Sequence, residues 1–165
     1  MKRRILFAII AAVLIVAVPT TAFSQSKKST SRTDVNLSLV GVVSTLDPFK
    51  TSLTVDLMLF KQIYESLYYI DDYAKPHGRI ASSHTTSPDG LVYTFNLRKD
   101  AFFHNGDPVK ASDVVFSFKT AIASPVLAPY VNVIKEVKKI DDSTVQITLK
   151  QPYTPFLNNS SQVFI

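Results

Sequence analysis

Apolar and polar positions alternate most cleanly over residues 91–97, LVYTFNL. Leu91, Tyr93, Phe95 and Leu97 fall on one face, and Val92, Thr94 and Asn96 on the other. A period of two predicts a strand with one buried face. The same period runs through residues 34–43, where Val35, Leu37 and Leu39 share a side, and Gly41 there marks a bulge or a close backbone approach. A third alternation covers 131–140 and 144–149, with Val145, Ile147 and Leu149 inward. It predicts a hairpin turning at Asp141-Asp142-Ser143.

Two stretches carry a helical period instead. Val55, Leu59, Ile63 and Leu67 recur every four residues, widened by Met58, Phe60 and Tyr64. This predicts a core helix over 54–69. A second helix is predicted over 112–122, with Val114, Val115, Phe118, Ala121 and Ile122 on one side, Asp107 and Asp113 near its start, and Pro125 and Pro129 ending it. Pro155 opens a short helix at its first position. Turn chemistry separates these elements: Thr45 to Pro48, Asp71-Asp72, Lys75 to Gly78, Ser87 to Gly90 and Asn105-Gly106. Residues 80–83 read as a short strand or turn, and Gln162 to Ile165 begins a new apolar run. The fold class expected is α+β: a mixed or antiparallel sheet with two or three helices.

The first residues change the picture of where this domain works. Lys2, Arg3 and Arg4 precede an unbroken apolar run, Ile5 to Val18, and Ala22-Phe23-Ser24 fits a small-residue cleavage site. This is the pattern of a secretory signal peptide over 1–24; a retained anchor is the other reading, although the run is short for a membrane span. Residues 25–34 are polar and read as a flexible tether. The formal charge of +5 falls to +2 once the three leader cations are removed. The remaining cations are scattered, so no nucleic-acid footprint exists. Cysteine is absent, which excludes disulfides, thiol ligands and a lipid-attachable cysteine.

Catalytic chemistry finds little support. The pairs Asp71-Asp72 and Asp141-Asp142 sit in turns, where neighbouring side chains point apart and aspartate bonds its own backbone. His77, His84 and His104 show no metal-ligand spacing. There is no G-x-S-x-G elbow and no glycine-rich phosphate loop. Neither a cofactor nor a metal is expected. Tyr64, Tyr68, Tyr69, Tyr73, Tyr93, Phe95, Phe102 and Phe103 are dense; most are expected in the core and a minority in a ligand cleft.

Seven phrases then occur in one order: Leu46-Asp47-Pro48; IYESL at 63–67; IASSHTTSPDG at 80–90; YTFNLRK at 93–99; FHNG at 103–106; ASDVVFS at 111–117; and Val137 to Leu149 followed by Pro152 and Phe156-Leu157. Each alone is weak, but their order resembles the bacterial extracellular solute-binding proteins of family 5, the dipeptide, oligopeptide and nickel receptors of ABC importers. Two positions depart from the family pattern. His84 stands where a tryptophan is usual, which is expected to loosen that corner. Lys110 stands where a capping threonine is usual, removing about 1 kcal/mol of helix cap.

The resemblance implies part of lobe one of a periplasmic-binding-protein-like fold (type II, cluster C), occupying residues 35–165. It implies a binding protein rather than an enzyme, periplasmic or extracellular, with a peptide or other small solute and an inner-membrane ABC permease as partners. Nucleic acid is not among them, nor is a stable homo-oligomer. Such receptors are longer, with two lobes closing around the ligand; an incomplete lobe and a non-functional gene fragment are therefore both open, as is a nickel-chelate receptor. The only local ligand-binding candidates implied are Val42, Val43, Ser44 and Thr45, just before the Leu-Asp-Pro turn.

Overall fold

The computed structural model describes Ser38 and residues 41–165. The expected leader, tether and most of the strand over 34–43 lie outside these residues. The described part of that stretch, 41–43, is a bend and irregular chain rather than strand. Gly41 is neither a bulge nor a tight approach, since a Cβ there would meet Val55 at an ordinary 3.8 Å.

Four strands form one antiparallel sheet: β3 (Ala81–Thr86), β4 (Val92–Leu97), β5 (Ile134–Lys139) and β6 (Thr144–Leu149), in the order β3-β4-β6-β5. Strand β4 sits inside the sheet and buries Tyr93, Phe95 and Leu97, the face its alternation predicts. Strand β6 likewise buries Val145, Ile147 and Leu149. The outer strands break parity. A register shift between Ile134 and Glu136 puts Ile134 and Val137, three apart, on one buried face. Another between Ala81 and Ser83 brings Ala81 and His84 to the same side as the β4 aromatics. A bulge of this kind adds one unpaired residue and flips the alternation beyond it.

Helix α2 (Ala111–Ala123) packs on β5 and β6. Its buried line is Ala111, Val114, Phe118 and Ala121; Val115 is half-buried and Ile122 is exposed, so the expected face is rotated toward the helix start. The N-cap, Lys110, makes no side-chain cap. Its own N–H donates to the Asp113 carboxylate at 2.8 Å, and the Ala111 N–H donates to the Asp142 carbonyl at 2.9 Å. Lys110→Thr is expected to add about 0.5–2 kcal/mol by accepting a remaining first-turn N–H. A rise in Tm checks this; a fall would mean that the Lys110 side chain is already stabilising the helix start.

The helix expected over 54–69 is shorter. Helix α1 (Thr54–Ile63) ends where Tyr64 turns extended, and Tyr68–Ile70 instead forms β1, a hairpin with β2 (Pro76–Gly78). Its fully buried positions are Asp56 and Phe60. Val55, Leu59 and Ile63 are only half-buried, and Met58 is exposed. Phe60 packs edge-on against Tyr64 and Phe164, with ring centroids 5.8 and 6.0 Å away. Two one-turn helices complete the set. In α3 (Ala128–Val131) Pro129 occupies the first turn, where proline is tolerated, so it opens a helix rather than ending one. In α4 (Phe156–Ser160) Pro155 is the N-cap, one residue outside its expected place. The described residues thus hold four helices, two of them a single turn.

Candidate functional site

Residues 42–45 run as irregular chain between the bend at Gly41 and the Leu-Asp-Pro turn. The turn holds itself together: the Phe49 N–H donates to Asp47 Oδ1 at 3.0 Å, the Asp47 N–H to Thr45 Oγ1 at 3.0 Å, and Lys50 pairs with Asp47 at 3.1 Å. Tyr64 adds a bond from its hydroxyl to the Leu46 carbonyl, 2.9 Å. The anchor of the segment is Asp56, fully buried in the first turn of α1. Its carboxylate accepts the Ser44 N–H at 2.9 Å, the Ser44 hydroxyl, and the Thr51 hydroxyl at 2.8 Å. Thr51 in turn accepts the Leu53 N–H at 3.1 Å. The Ser44 hydroxyl is the main reason the Asp56 carboxyl is held below its usual range, against the opposing effect of burial. Sequence reasoning missed Asp56, because it reads there as an ordinary helix N-terminal acid.

This geometry decides what the four candidates offer. Ser44 is committed to Asp56, and the Thr45 hydroxyl to the turn. Val42 is 89% exposed. Among the described residues, no hydrogen bond engages the backbone of Val42 or Val43. The segment therefore presents irregular backbone with no hydrogen bond to a described residue at Val42 and Val43, and one exposed apolar side chain, with Ser44 tied to Asp56 behind it. Backbone groups of this kind can pair with an extended chain.

The Asp56 anchor has a testable pH signature. Its folded-state pKa lies below the ordinary aspartate value of 3.8, so the unfolded chain binds this proton more readily. The stabilisation is complete above 3.8 and is lost as pH falls through the lower folded value. Asp56→Asn is expected to lower Tm at neutral pH, and the gap from the parent protein should close in acid. A gap that stays constant into strong acid would show that the anchor does not depend on an ionised carboxylate.

The remaining chemistry is structural. Asp71 accepts the Tyr73 and Lys75 N–H groups at 2.9 and 2.8 Å and meets His77 Nε2 at 2.7 Å; the His77 bond is the chief cause of its lowered pKa. Asp141 accepts the Ser143 N–H at 2.7 Å, and Asp142 pairs with Lys139. Asp71 and Asp141 are thus turn builders. At the corner that His84 is expected to loosen, its ring is packed. It lies half-buried among the Tyr68, Tyr93 and Phe95 rings, with Nδ1 2.9 Å from the Tyr68 hydroxyl, and burial lowers its pKa. Among the described residues no group of three or more His, Asp or Glu side chains is placed to hold a metal. No described helix is long and apolar enough to cross a membrane.

The aromatics divide differently from expectation. Tyr68, Tyr93 and Phe95 are buried, but Tyr69, Tyr73, Phe102 and Phe103 are exposed and Tyr64 is half-buried. Three open grooves border Tyr64, and an apolar one of about 430 Å³ runs from Leu46 and Pro48 to Phe103 and Phe116. None of the three is lined by Val42, Val43, Ser44 or Thr45.

Comparison with known proteins gives a consistent picture. The family described as "Bacterial extracellular solute-binding proteins, family 5 Middle" matches residues 75–165. The glutathione-binding protein GsiB of Escherichia coli K12 is 33% identical over 128 residues, which is 76% of this chain and 25% of GsiB. OppA of Listeria monocytogenes, solved with bound peptide, superimposes with a TM-score of 0.69 at 28% identity, over 74% of this chain and 28% of OppA. NikZ of Campylobacter jejuni, solved with Ni(L-His), gives 0.66 at 28% identity, over 77% of this chain and 26% of NikZ. The chain spans 23–25% of the length of these GsiB relatives.

Proposed function

From the premise that this chain belongs to the bacterial extracellular solute-binding proteins of family 5, we propose that it serves as the solute-capturing part of an ABC importer. Its solute is a peptide or a related small molecule, and its partner is the ABC permease that takes the solute across the membrane. The domain order that goes with this reading is a secretory leader over 1–24, a tether over 25–34 and the family domain over 35–165. The protein acts outside the cytoplasm, without a lipid anchor, and carries out no covalent chemistry.

The observation that supports this reading is the match of the sheet and its helices to solute-loaded receptors over about three quarters of the chain. The 42–45 segment is the contact proposed for the solute, through the Val42 and Val43 backbone. A nickel chelate is the second reading, favoured by the likeness to NikZ. The described residues gather no metal-binding cluster, so a metal would arrive inside its chelator and be held by the chelator's groups.

Affinity in this chain should be weak. A ligand pocket buries most of its ligand's surface, whereas 42–45 offers one exposed segment. A dissociation constant of about millimolar or worse, near −4 kcal/mol, is expected. Isotope-labelled protein titrated with a dipeptide, with glutathione and with Ni(L-His) tests it. Amide shifts should centre on Val42 to Thr45 and saturate only at millimolar ligand. Micromolar saturation would show that the chain encloses its solute by itself, and shifts absent from 42–45 would remove the proposed contact.

A further inference from the structure

The groove beside the 98–110 loop holds chemistry that the 42–45 segment lacks. Its volume is about 340 Å³, a size in the range of small-molecule sites. Ile63 and Ile80 contribute apolar surface, and Phe102 and Phe103 line it while remaining 58% and 37% exposed. The backbone that carries these two rings is held within its own loop. Phe102 pairs with Pro108 across an isolated bridge, the Phe103 N–H donates to the Asp107 carbonyl at 2.8 Å, and the Gly106 N–H donates to the Phe103 carbonyl at 2.9 Å. Glycine serves at 106 because φ there is 91°.

Two guanidinium groups line the same groove, and they differ. Arg98 forks onto Asp100 through Nε and Nη2, both at 2.9 Å, so its bidentate side is occupied. Arg79 sits 5.3 Å over the Tyr69 ring, and its Nε is 3.8 Å from Glu65, an ion-pair distance too long for a hydrogen bond. Among the described residues its side chain donates no hydrogen bond. Glu65 and Asp100 line the groove as well, so an incoming carboxylate takes the place of Glu65 beside Arg79; the guanidinium, held on an aromatic face with no hydrogen bond donated, offers it a planar match, and its prior placement reduces the ordering cost of binding.

We propose that this groove binds an organic monocarboxylate with an aromatic or branched apolar body. The carboxylate docks on Arg79 and the body lies against Phe102 and Phe103. This site is separate from the 42–45 contact and does not rest on the receptor reading. The probes are N-acetyl-phenylalanine, its neutral amide and acetate, each titrated into the isotope-labelled full chain. The acid should bind at about millimolar, as suits a ligand of its size, with shifts at residue 79 and residues 102–103. The amide and acetate should each bind about tenfold more weakly, one lacking the charge-assisted bonds and the other the apolar body. Arg79→Gln should erase the preference for acid over amide. Phe102→Ser, at an exposed position, should weaken both. Circular dichroism confirms that each variant is folded. Equal binding of acid and amide, an unaltered preference in Arg79→Gln, or shifts confined to 42–45 would each overturn the proposal. The last result would leave the receptor reading intact.

Discussion

Phe95→Ala is expected to cost about 3–5 kcal/mol. Phe95 is fully buried on the inner strand β4, flanked by β3 and β6. Its ring meets four others: His84 at 5.8 Å, Tyr68 at 6.0 Å, Tyr93 at 6.3 Å and Phe156 at 6.5 Å between centroids. Those rings come from β1, β3, β4 and α4, so the lost volume cannot be refilled by moving one element. Burial of the side chain alone is worth roughly 1.5–3 kcal/mol; the cavity accounts for the rest. Asn96, the next residue, is exposed and makes a surface bond from Nδ2 to Ser83 Oγ at 3.0 Å. Asn96→Ala should therefore stay within about 0.5 kcal/mol. Urea unfolding midpoints at unchanged slope read both. Equal losses would mean that the two faces of β4 are not divided into core and surface.

Gly78→Ala should cost about 1–3 kcal/mol, large for the addition of one methyl group. A Cβ at 78 would stand 2.4 Å from the Ala81 carbonyl oxygen, a contact no side chain can make. That backbone is not free to retreat, because the Arg79 and Ala81 N–H groups both donate to the Leu67 carbonyl, at 3.0 and 3.2 Å. Relief of the clash must therefore open the corner joining the β1–β2 hairpin to β3. Gly41→Ala is the matched control, since its added methyl finds only ordinary contact with Val55. It should be near neutral in thermal melts. A Gly78→Ala protein that melts with the parent would show that this corner is not tightly joined.

The candidate site was legible only in outline. The Leu-Asp-Pro turn and the chain leading to it stand out in the sequence, because proline and an aspartate that bonds its own backbone are local signals. What those four residues offer was not legible. The Ser44 hydroxyl is taken by Asp56, twelve positions away, and nothing in either residue announces that pairing. Arg79 and the Phe102-Phe103 wall were missed as a pair for the same reason. Both were visible as residues, but the groove joining them exists only after the 98–110 loop folds beside α1 and β3.

Local repetition and local turn chemistry were enough for the sequence to determine several parts by itself. These are the alternating faces of β4 and β6, the β5–β6 turn at Asp141 and the helix after Asn105-Gly106. Each depends on neighbours a few residues apart, and the period of the backbone transmits that information directly. Tertiary structure decided the rest. Leu67 continues the four-residue spacing of α1, yet it lies outside the helix, because Tyr68 to Ile70 gain antiparallel partners in Pro76 to Gly78 and Ser66 bridges Phe164. Pro129 opens a helical turn instead of closing one, and Ile134 shares a face with Val137 through a bulge. Proline is tolerated in a first turn, so only the position of the helix start decided Pro129; for Leu67 and Ile134 a hydrogen bond or burial from a distant segment outweighs a local preference worth at most about 1 kcal/mol per residue.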